Sequence, residues 1–212
     1  MDFQSTLFAP VDGESRTIDF DGAERTTLTR GAWVDIARGW LPDADDVFAT
    51  LVRDVPWRAE RRQMYDRVVD VPRLVHTYMI GDELPHDRLT DAREALTSHY
   101  ADELGEPFRT AGCCYYRDGR DSVAWHGDTI GRGKTADTMV AIVSLGDPRR
   151  LHLRPRLGGG PGNGAQPVVV EMGHGDLVVM GGSCQRTWEH AVPKVAHAGP
   201  RISVQFRPLN VF

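Results

Sequence analysis

Short apolar runs with polar residues between them fill the chain from about residue 111 onward and predict a β-rich core. The seven runs are CCYYR (113–117), SVAWHGD (122–128), TMVAIVSLG (138–146), RRLHLRPR (149–156), PVVVEM (167–172), DLVVM (176–180) and RISVQFR (201–207). Glycine, aspartate or proline residues separate them. Seven short strands with turn signals are typical of an antiparallel sandwich or jelly roll. The glycine-rich segment LGGGPGNG (157–164) predicts a loop between two strands.

Two segments of the N-terminal half follow a helical period. The first covers residues 44–54, with Asp43 in position to cap it, and its apolar face consists of Val47, Phe48, Leu51 and Val52. The second covers residues 86–104, and its apolar face consists of Leu89, Ala92, Leu96 and Tyr100. We expect one domain (1–212) of the mainly β (α+β) class. In it, N-terminal helices and a hairpin (1–107) pack on one side of a jelly-roll core (108–212).

The composition is that of an ordinary globular protein. Apolar residues make up 41% and charged residues 26%, which argues against disorder, a collagenous repeat or a disulfide miniprotein. No apolar run approaches the roughly 18 residues of a membrane-spanning helix, and the first residues lack the pattern of a secretory signal. Three cysteines, two of them adjacent, suit a reducing compartment. We therefore expect a cytoplasmic monomer without a membrane partner.

The net charge of −5 conceals a difference between the two halves of the chain. Residues 1–105 carry 12 basic and 21 acidic side chains, whereas residues 106–212 carry 13 basic and 9 acidic ones. The C-terminal half is therefore the expected place for an anionic ligand.

His126 and Asp128 form a candidate half of a metal site. Alternation along a strand sends residues i and i+2 to the same face. His190 follows the DLVVM run and its glycine-rich turn, so that it can return beside them as a third ligand. Two histidines and one carboxylate are the facial arrangement of non-haem Fe(II) oxygenases. An HxD tripeptide alone is a weak signal, because it often arises by chance.

The run RISVQFR strengthens that interpretation. Alternation places its polar side chains on one face: Arg201, Ser203, Gln205 and Arg207. Buried guanidinium groups need an anion. A dicarboxylate supplies one, if its far carboxylate takes the bidentate fork of Arg201 while its 2-oxo acid end chelates the metal. The alternative is that Arg201 and Arg207 pair with structural acids.

These residues resemble the AlkB-like Fe(II)- and 2-oxoglutarate-dependent dioxygenases. The matching stretches are YRDGRDSVAWHGD, LHLRPR, GDLVVMGGSCQRTWEHAVPK and RISVQFRP, with VPR (71–73) upstream. The resemblance implies a double-stranded β-helix that binds Fe(II), 2-oxoglutarate and O₂. It assigns the iron to His126, Asp128 and His190. It also implies that Arg201 binds the distal 2-oxoglutarate carboxylate, that Arg207 lies near Asp128, and that the Tyr116 hydroxyl meets the cosubstrate.

The sequence departs from the family pattern at the cosubstrate and beyond the HxD motif. Cys114 and Ser203 stand where the family usually has asparagine, so we expect Ser203 to meet the cosubstrate with different hydrogen bonds. Thr129 and Ile130 stand where repair enzymes of the family usually carry an acid that contacts the base. The substrate preference is therefore expected to differ.

Further substrate contacts are expected from Tyr65, Arg73 and Trp125, besides Thr129 and Ile130. Tyr65, in a hairpin with Arg61, Arg62 and Arg67, resembles the wedge that unstacks a base for flipping. The alternative is an exposed aromatic in an arginine-rich hairpin. A second basic stripe could contact phosphates or be solvated charge; it consists of Arg149, Arg150, Arg154 and Arg156.

The sequence therefore predicts an Fe(II)- and 2-oxoglutarate-dependent dioxygenase, with oxidative demethylation of alkylated bases in DNA or RNA as the leading function. One alternative is a same-family oxygenase acting on a protein or small molecule. A second alternative is a non-catalytic jelly-roll module that binds a metal.

Overall fold

The computed structural model describes residues 17–64, 67–156 and 166–211, and the side chains of residues 61–64 and 67–70 are not described. Its strands are β1 (Glu24–Thr27), β2 (Ala32–Ala37), β3 (Arg58–Met64), β4 (Arg67–Tyr78), β5 (Thr110–Tyr116), β6 (Val123–His126), β7 (Val140–Gly146), β8 (Arg149–Pro155), β9 (Val168–Met172), β10 (Asp176–Gly182), β11 (Trp188–Val192) and β12 (Arg201–Arg207). Its α-helices are α1 (Ala44–Asp54), α2 (Asp87–His99), α3 (Ala101–Leu104) and α4 (Cys184–Thr187). None of these helices is long and apolar enough to cross a membrane.

The strands form two antiparallel sheets. The large sheet has the order β1-β2-β10-β7-β12-β5-β4-β3 and the small sheet has the order β6-β11-β8-β9. Alternation along β7 separates two cores: Ala141, Val143 and Leu145 pack with the helices, whereas Val140 and Ile142 pack with residues of the small sheet. The predicted jelly roll is confirmed, and helices cover the outer face of the large sheet.

All seven strands predicted from the apolar runs are present, and β3 and β4 pair as the expected N-terminal hairpin. The sequence pattern missed three others: β1 and β2 in the N-terminal segment, and β11. β2 pairs with β10 and β4 pairs with β5. The N-terminal segment therefore extends the large sheet, besides covering it with helices. β11, the strand of His190, is only five residues long, and the polar Glu189 and His190 interrupt its apolar pattern.

Pro72 obscures the long strand β4 in the sequence, because proline rarely lies within a central strand. The β3–β4 ladder is irregular at this point. Ala59 lies opposite Leu74, and the next paired residue, Arg61, lies opposite Asp70. Pro72 lies within that β-bulge, where the ladder needs no N–H donor.

The two predicted helices are present, with different ends. The capping role of Asp43 is wrong, since this residue has a left-handed backbone (φ 53°) and makes no side-chain capping hydrogen bond. Its carboxylate accepts a hydrogen bond from Arg88 Nε instead, at 2.8 Å. The segment 86–104 forms two helices separated at Tyr100. The Tyr100 hydroxyl donates to Asp35 at 2.8 Å, which fastens the end of α2 to β2.

Candidate metal and cosubstrate site

The structure brings the three predicted metal ligands together. His126 on β6 lies directly opposite His190 on β11, and opposite residues of an antiparallel pair have neighbouring side chains. Asp128 follows two residues after His126. One ligand atom from each residue lies within 4.8 Å of the other two. Three such ligands can occupy one face of an octahedron and leave the other face open.

The charges of the site suit a divalent metal. Burial by itself would raise the pKa of the Asp128 carboxyl, but Arg207, with both histidines nearby, outweighs it and brings the pKa to about 2. Arg207 Nε donates to one Asp128 oxygen at 2.7 Å. The other oxygen lies 3.8 Å from His126 Nε2. Burial, followed by the neighbouring His126, lowers the pKa of His190 to about 3, so this imidazole is neutral and can coordinate.

The orientation of His126 is set by its own strand. Its Nδ1 lies 2.9 Å from the Ala124 carbonyl oxygen, and because a carbonyl only accepts, Nδ1 carries the proton. Nε2 is then the atom that is free to bind a metal. A hydrogen bond from the ring nitrogen that does not bind the metal fixes the tautomer and the ring plane of a ligating histidine.

Gln185 holds the turn that carries Asp128. Its side chain is 99% buried on α4, and its Oε1 accepts a hydrogen bond from the Asp128 N–H at 3.0 Å. The Gln185 carbonyl also approaches Gly127 closely, since a β-carbon at position 127 would lie 2.5 Å from that oxygen. Glycine is therefore required between the two ligands. No local sequence pattern indicates Gln185, because the contact joins residues 57 positions apart.

Gln185→Ala is expected to weaken metal binding about 10- to 100-fold, the usual effect of removing a group that orients a ligand. Titration with Co(II) checks this, and its visible absorption spectrum should change because the Asp128 oxygen is displaced. Cys184→Ala, a buried change on the same helix, is the matched control. A Gln185→Ala protein of lower stability that binds Co(II) with wild-type affinity and spectrum would limit Gln185 to packing.

A cavity extends from the triad to Arg201 between the two sheets. Its lining includes the metal-side residues His126, His190 and Arg207, and, further in, Arg73, Cys114, Tyr116, Arg201, Ser203 and Gln205. The face predicted for RISVQFR is thus the face that meets the cavity. Its other face, formed by Ile202, Val204 and Phe206, packs in the helical core.

Arg201 is a buried cation without a carboxylate partner among the described residues. The side chain is 99% buried. Its Nε donates to Ser144 Oγ at 3.0 Å, and its Nη1 has no hydrogen-bond partner. Burial lowers the pKa of the guanidinium, as expected for a charge that has lost its water. A dicarboxylate in the cavity would supply the missing acceptor, whereas Arg207 already has its partner in Asp128.

Tyr116 and Ser203 complete the inner end of the cavity. Tyr116 lies opposite Arg201 on the paired strands β5 and β12, and the Arg201 guanidinium lies 5.0 Å from its ring centroid. Burial raises the pKa of Tyr116, so its hydroxyl keeps the proton and can donate. Ser203 Oγ accepts from Gln205 Nε2 at 2.6 Å and keeps its own hydrogen for another acceptor.

The residues predicted to contact substrate do not all lie at the cavity. Arg73 lines the cavity, where its Nε donates to the Cys114 sulfur at 3.3 Å. Ile130 is 68% exposed, and Thr129 is half-buried beside Asp128. Trp125 is not among the residues that line this cavity; it lies at the surface with the Arg154 guanidinium 4.2 Å from its ring centroid. Tyr65 lies outside the described residues.

The predicted basic stripe on β8 is wrong as a phosphate-binding unit. Arg149 is buried and donates to the carbonyls of Asp118, Asp121 and Pro193. Arg154 pairs with Glu189 at 2.8 Å. Alternation shows which side of a strand a charge occupies, but it does not show what covers that side.

The jelly roll, the triad and a buried arginine without a carboxylate partner among the described residues define an iron and 2-oxoglutarate oxygenase. The family model of the 2OG-Fe(II) oxygenase superfamily matches residues 36–207. The chain belongs to this superfamily and, within it, to the AlkB-like dioxygenases. Fe(II) and 2-oxoglutarate are thus its metal and cosubstrate, and O₂ is its second cosubstrate.

Similar proteins support this assignment. The alpha-ketoglutarate-dependent dioxygenase alkB homolog 3 of Homo sapiens is 30% identical, with 92% of this chain and 73% of that protein covered. The chain spans 62% of the bovine homologue. The human DNA oxidative demethylase ALKBH2 is 25% identical, with 79% and 69% covered. A solved prolyl hydroxylase from Trichoplax adhaerens, bound to a hypoxia inducible factor peptide, shares the fold (TM-score 0.56, 13% identity, 82% and 83% covered).

Proposed function

We propose that this protein oxidatively demethylates alkylated bases in nucleic acids. The observation that carries the chemistry is a cavity with the His126, Asp128 and His190 triad at one end and, at the other, Arg201, which has no carboxylate partner among the described residues. The relationship to a DNA oxidative demethylase supports a nucleic-acid substrate. The positive balance of the C-terminal half, which contains the triad and Arg201, agrees with a polyanionic partner.

Each part of the site has a role in this reaction. His126 Nε2, His190 and one Asp128 oxygen would hold Fe(II), while Arg207 keeps the other oxygen of Asp128 occupied. Arg201 and the Tyr116 hydroxyl would bind the far carboxylate of 2-oxoglutarate, which orients its 2-oxo acid end toward the triad. When bound, the iron with 2-oxoglutarate and O₂ supplies the oxidising power that hydroxylates an N-methyl carbon, whose hydroxymethyl product releases formaldehyde.

A panel of substrates tests the proposal. We expect methylated oligonucleotides to stimulate succinate formation above the rate without substrate, with formaldehyde released in a 1:1 ratio to the additional succinate. Unmethylated oligonucleotides of the same sequence are the control. Peptides and free nucleosides complete the panel. Stimulation by a peptide or metabolite alone would instead indicate an oxygenase of the same family that acts on a protein or small molecule. Succinate formation that requires neither iron nor 2-oxoglutarate would contradict the dioxygenase.

A further inference from the structure

Three cations gather around α4 and the turn between the metal ligands. They are Arg30, Lys134 and Arg156, here called the α4 cations. In the described part of the chain none of them has a carboxylate at ion-pair distance. They belong to three separate segments, and no sequence pattern connected them.

The backbone at Thr29 and Arg30 is fixed by contacts with the residues on either side of α4. Arg30 has a left-handed backbone (φ 65°), a conformation that residues other than glycine avoid. The Ser183 hydroxyl donates to the Arg30 carbonyl at 2.7 Å, and Trp188 Nε1 donates to the Thr29 carbonyl. A strained residue that neighbouring groups hold in place is a common sign of function. The Arg30 side chain is exposed.

Lys134 is the last residue of a short 3-10 helix (Arg132–Lys134) that packs against the backbone of the metal ligand Asp128. A β-carbon on Gly133 would lie 2.0 Å from the Asp128 carbonyl oxygen, so this helix and the Asp128 backbone are in direct contact. The Thr138 N–H donates to the Gly182 carbonyl just before α4. Lys134 is exposed at this junction.

Arg156 lies against the HxD turn from the other side. Its backbone N–H donates to the Thr187 carbonyl at the end of α4, at 2.9 Å. A β-carbon on Gly127 would lie 2.7 Å from Arg156 Nη2, which places the guanidinium beside the residue between His126 and Asp128. Its Nε is buried and has no hydrogen-bond partner among the described residues.

The acids of the same segments are already paired. Asp137 pairs with Arg186, Glu106 pairs with Arg132, and Glu189 pairs with Arg154. The α4 cations are therefore an excess of positive charge at the metal site, in a chain whose net charge is −5. A local basic face of this kind attracts polyanions whatever the overall charge.

We propose that the α4 cations bind the sugar-phosphate backbone of the nucleic-acid strand whose base enters the cavity. This inference rests on the proposed function. Phosphate contacts position a strand without reading its sequence, and here they would hold it beside the turn that carries His126 and Asp128. The strand would thus lie along α4 and not along the predicted stripe on β8, whose Arg149 is buried.

Oligonucleotide binding tests this placement. The variant Arg30→Gln, Lys134→Gln, Arg156→Gln removes three charges at nearly constant side-chain volume. The control variant Arg93→Gln, Arg109→Gln, Lys194→Gln removes three charges from other segments of the chain. Fluorescence anisotropy with a labelled single-stranded oligonucleotide, at several salt concentrations, gives the affinity and its salt dependence. Thermal unfolding verifies that each variant is folded.

The α4 variant is expected to bind at least about tenfold more weakly, and the slope of log affinity against log salt should fall by about 0.7 for each phosphate that the protein no longer neutralises. The control variant should bind like the wild type. Equal reductions of affinity in the two variants would overturn the placement and leave the proposed function standing. Absence of any binding by the wild type at low salt would overturn the proposed function as well. If the triple variant does not fold, Lys134→Gln alone, at an exposed position, should lower the slope by about 0.7; an unchanged slope would overturn the placement.

Discussion

His190→Ala is expected to lower the affinity for Fe(II), or for Mn(II) as its substitute, by more than about 100-fold. Loss of a group that merely orients a ligand costs about 10- to 100-fold, and loss of one of three ligands removes a direct bond. His190 also lies at the centre of β11, opposite His126. Among the described residues, no other histidine, cysteine or acid belongs to this group of ligands and could replace it. Anaerobic calorimetric titration with Mn(II) measures the change.

His197→Ala is the control for this experiment, because His197 is exposed and does not belong to the group of ligands. Circular dichroism should show that both variants keep the wild-type β-sheet signal. If His190→Ala bound Mn(II) as tightly as the control does, the triad would be wrong as the metal site. Dioxygenase activity should disappear together with metal binding.

Arg201→Lys is expected to raise the KM for 2-oxoglutarate at least about tenfold and to leave metal affinity unchanged. The lysine ammonium keeps the charge but cannot form the two parallel hydrogen bonds of a guanidinium. In this cavity the difference is large because Arg201 is buried, its Nε is engaged by Ser144 and its Nη1 has no partner. Succinate formation measured against 2-oxoglutarate concentration gives the KM.

Arg150→Lys is the matched control for Arg201→Lys, since Arg150 is an exposed arginine of the neighbouring sheet. Arg201→Ala should have a larger effect than Arg201→Lys, because it removes the cation opposite Tyr116 altogether. A wild-type 2-oxoglutarate dependence in both Arg201 variants would contradict the role of Arg201 in binding the cosubstrate.

Much of the site could be predicted because alternation along a strand is a strong local constraint. Arg201 and Ser203 were expected to face inward, and the structure places both in the cavity. His126 and Asp128 were expected to share a face, and their ligand atoms lie close to those of His190. These placements depend on the backbone period and the chain order, which the sequence contains.

The remaining features depend on contacts between distant segments. Gln185 reaches Asp128 across the fold, and nothing in the local pattern around α4 indicates this contact. Arg149 was expected at the surface, but loops from elsewhere in the chain cover it, and their carbonyls accept hydrogen bonds from its Nη2. Asp43 adopts a left-handed backbone, which local composition does not show. Local pattern thus predicts the face of a side chain better than the partner that meets it.

Because His126 and His190 lie opposite each other, a metal bound by both also links the edge strand of the small sheet to its neighbour. β6 is an edge strand of four residues that, among the described strands, pairs with β11 alone, and short edge strands are among the first parts of a fold to open locally. A metal coordinated by a residue of each strand cross-links β6 and β11 in addition to their short ladder of hydrogen bonds. Part of its binding free energy therefore becomes resistance to local opening. The β6 amide hydrogens should therefore exchange faster in the metal-free protein than in the metal-bound protein, whereas those of β8 should change less. The end of the cavity that carries the triad would become rigid only when the metal is bound.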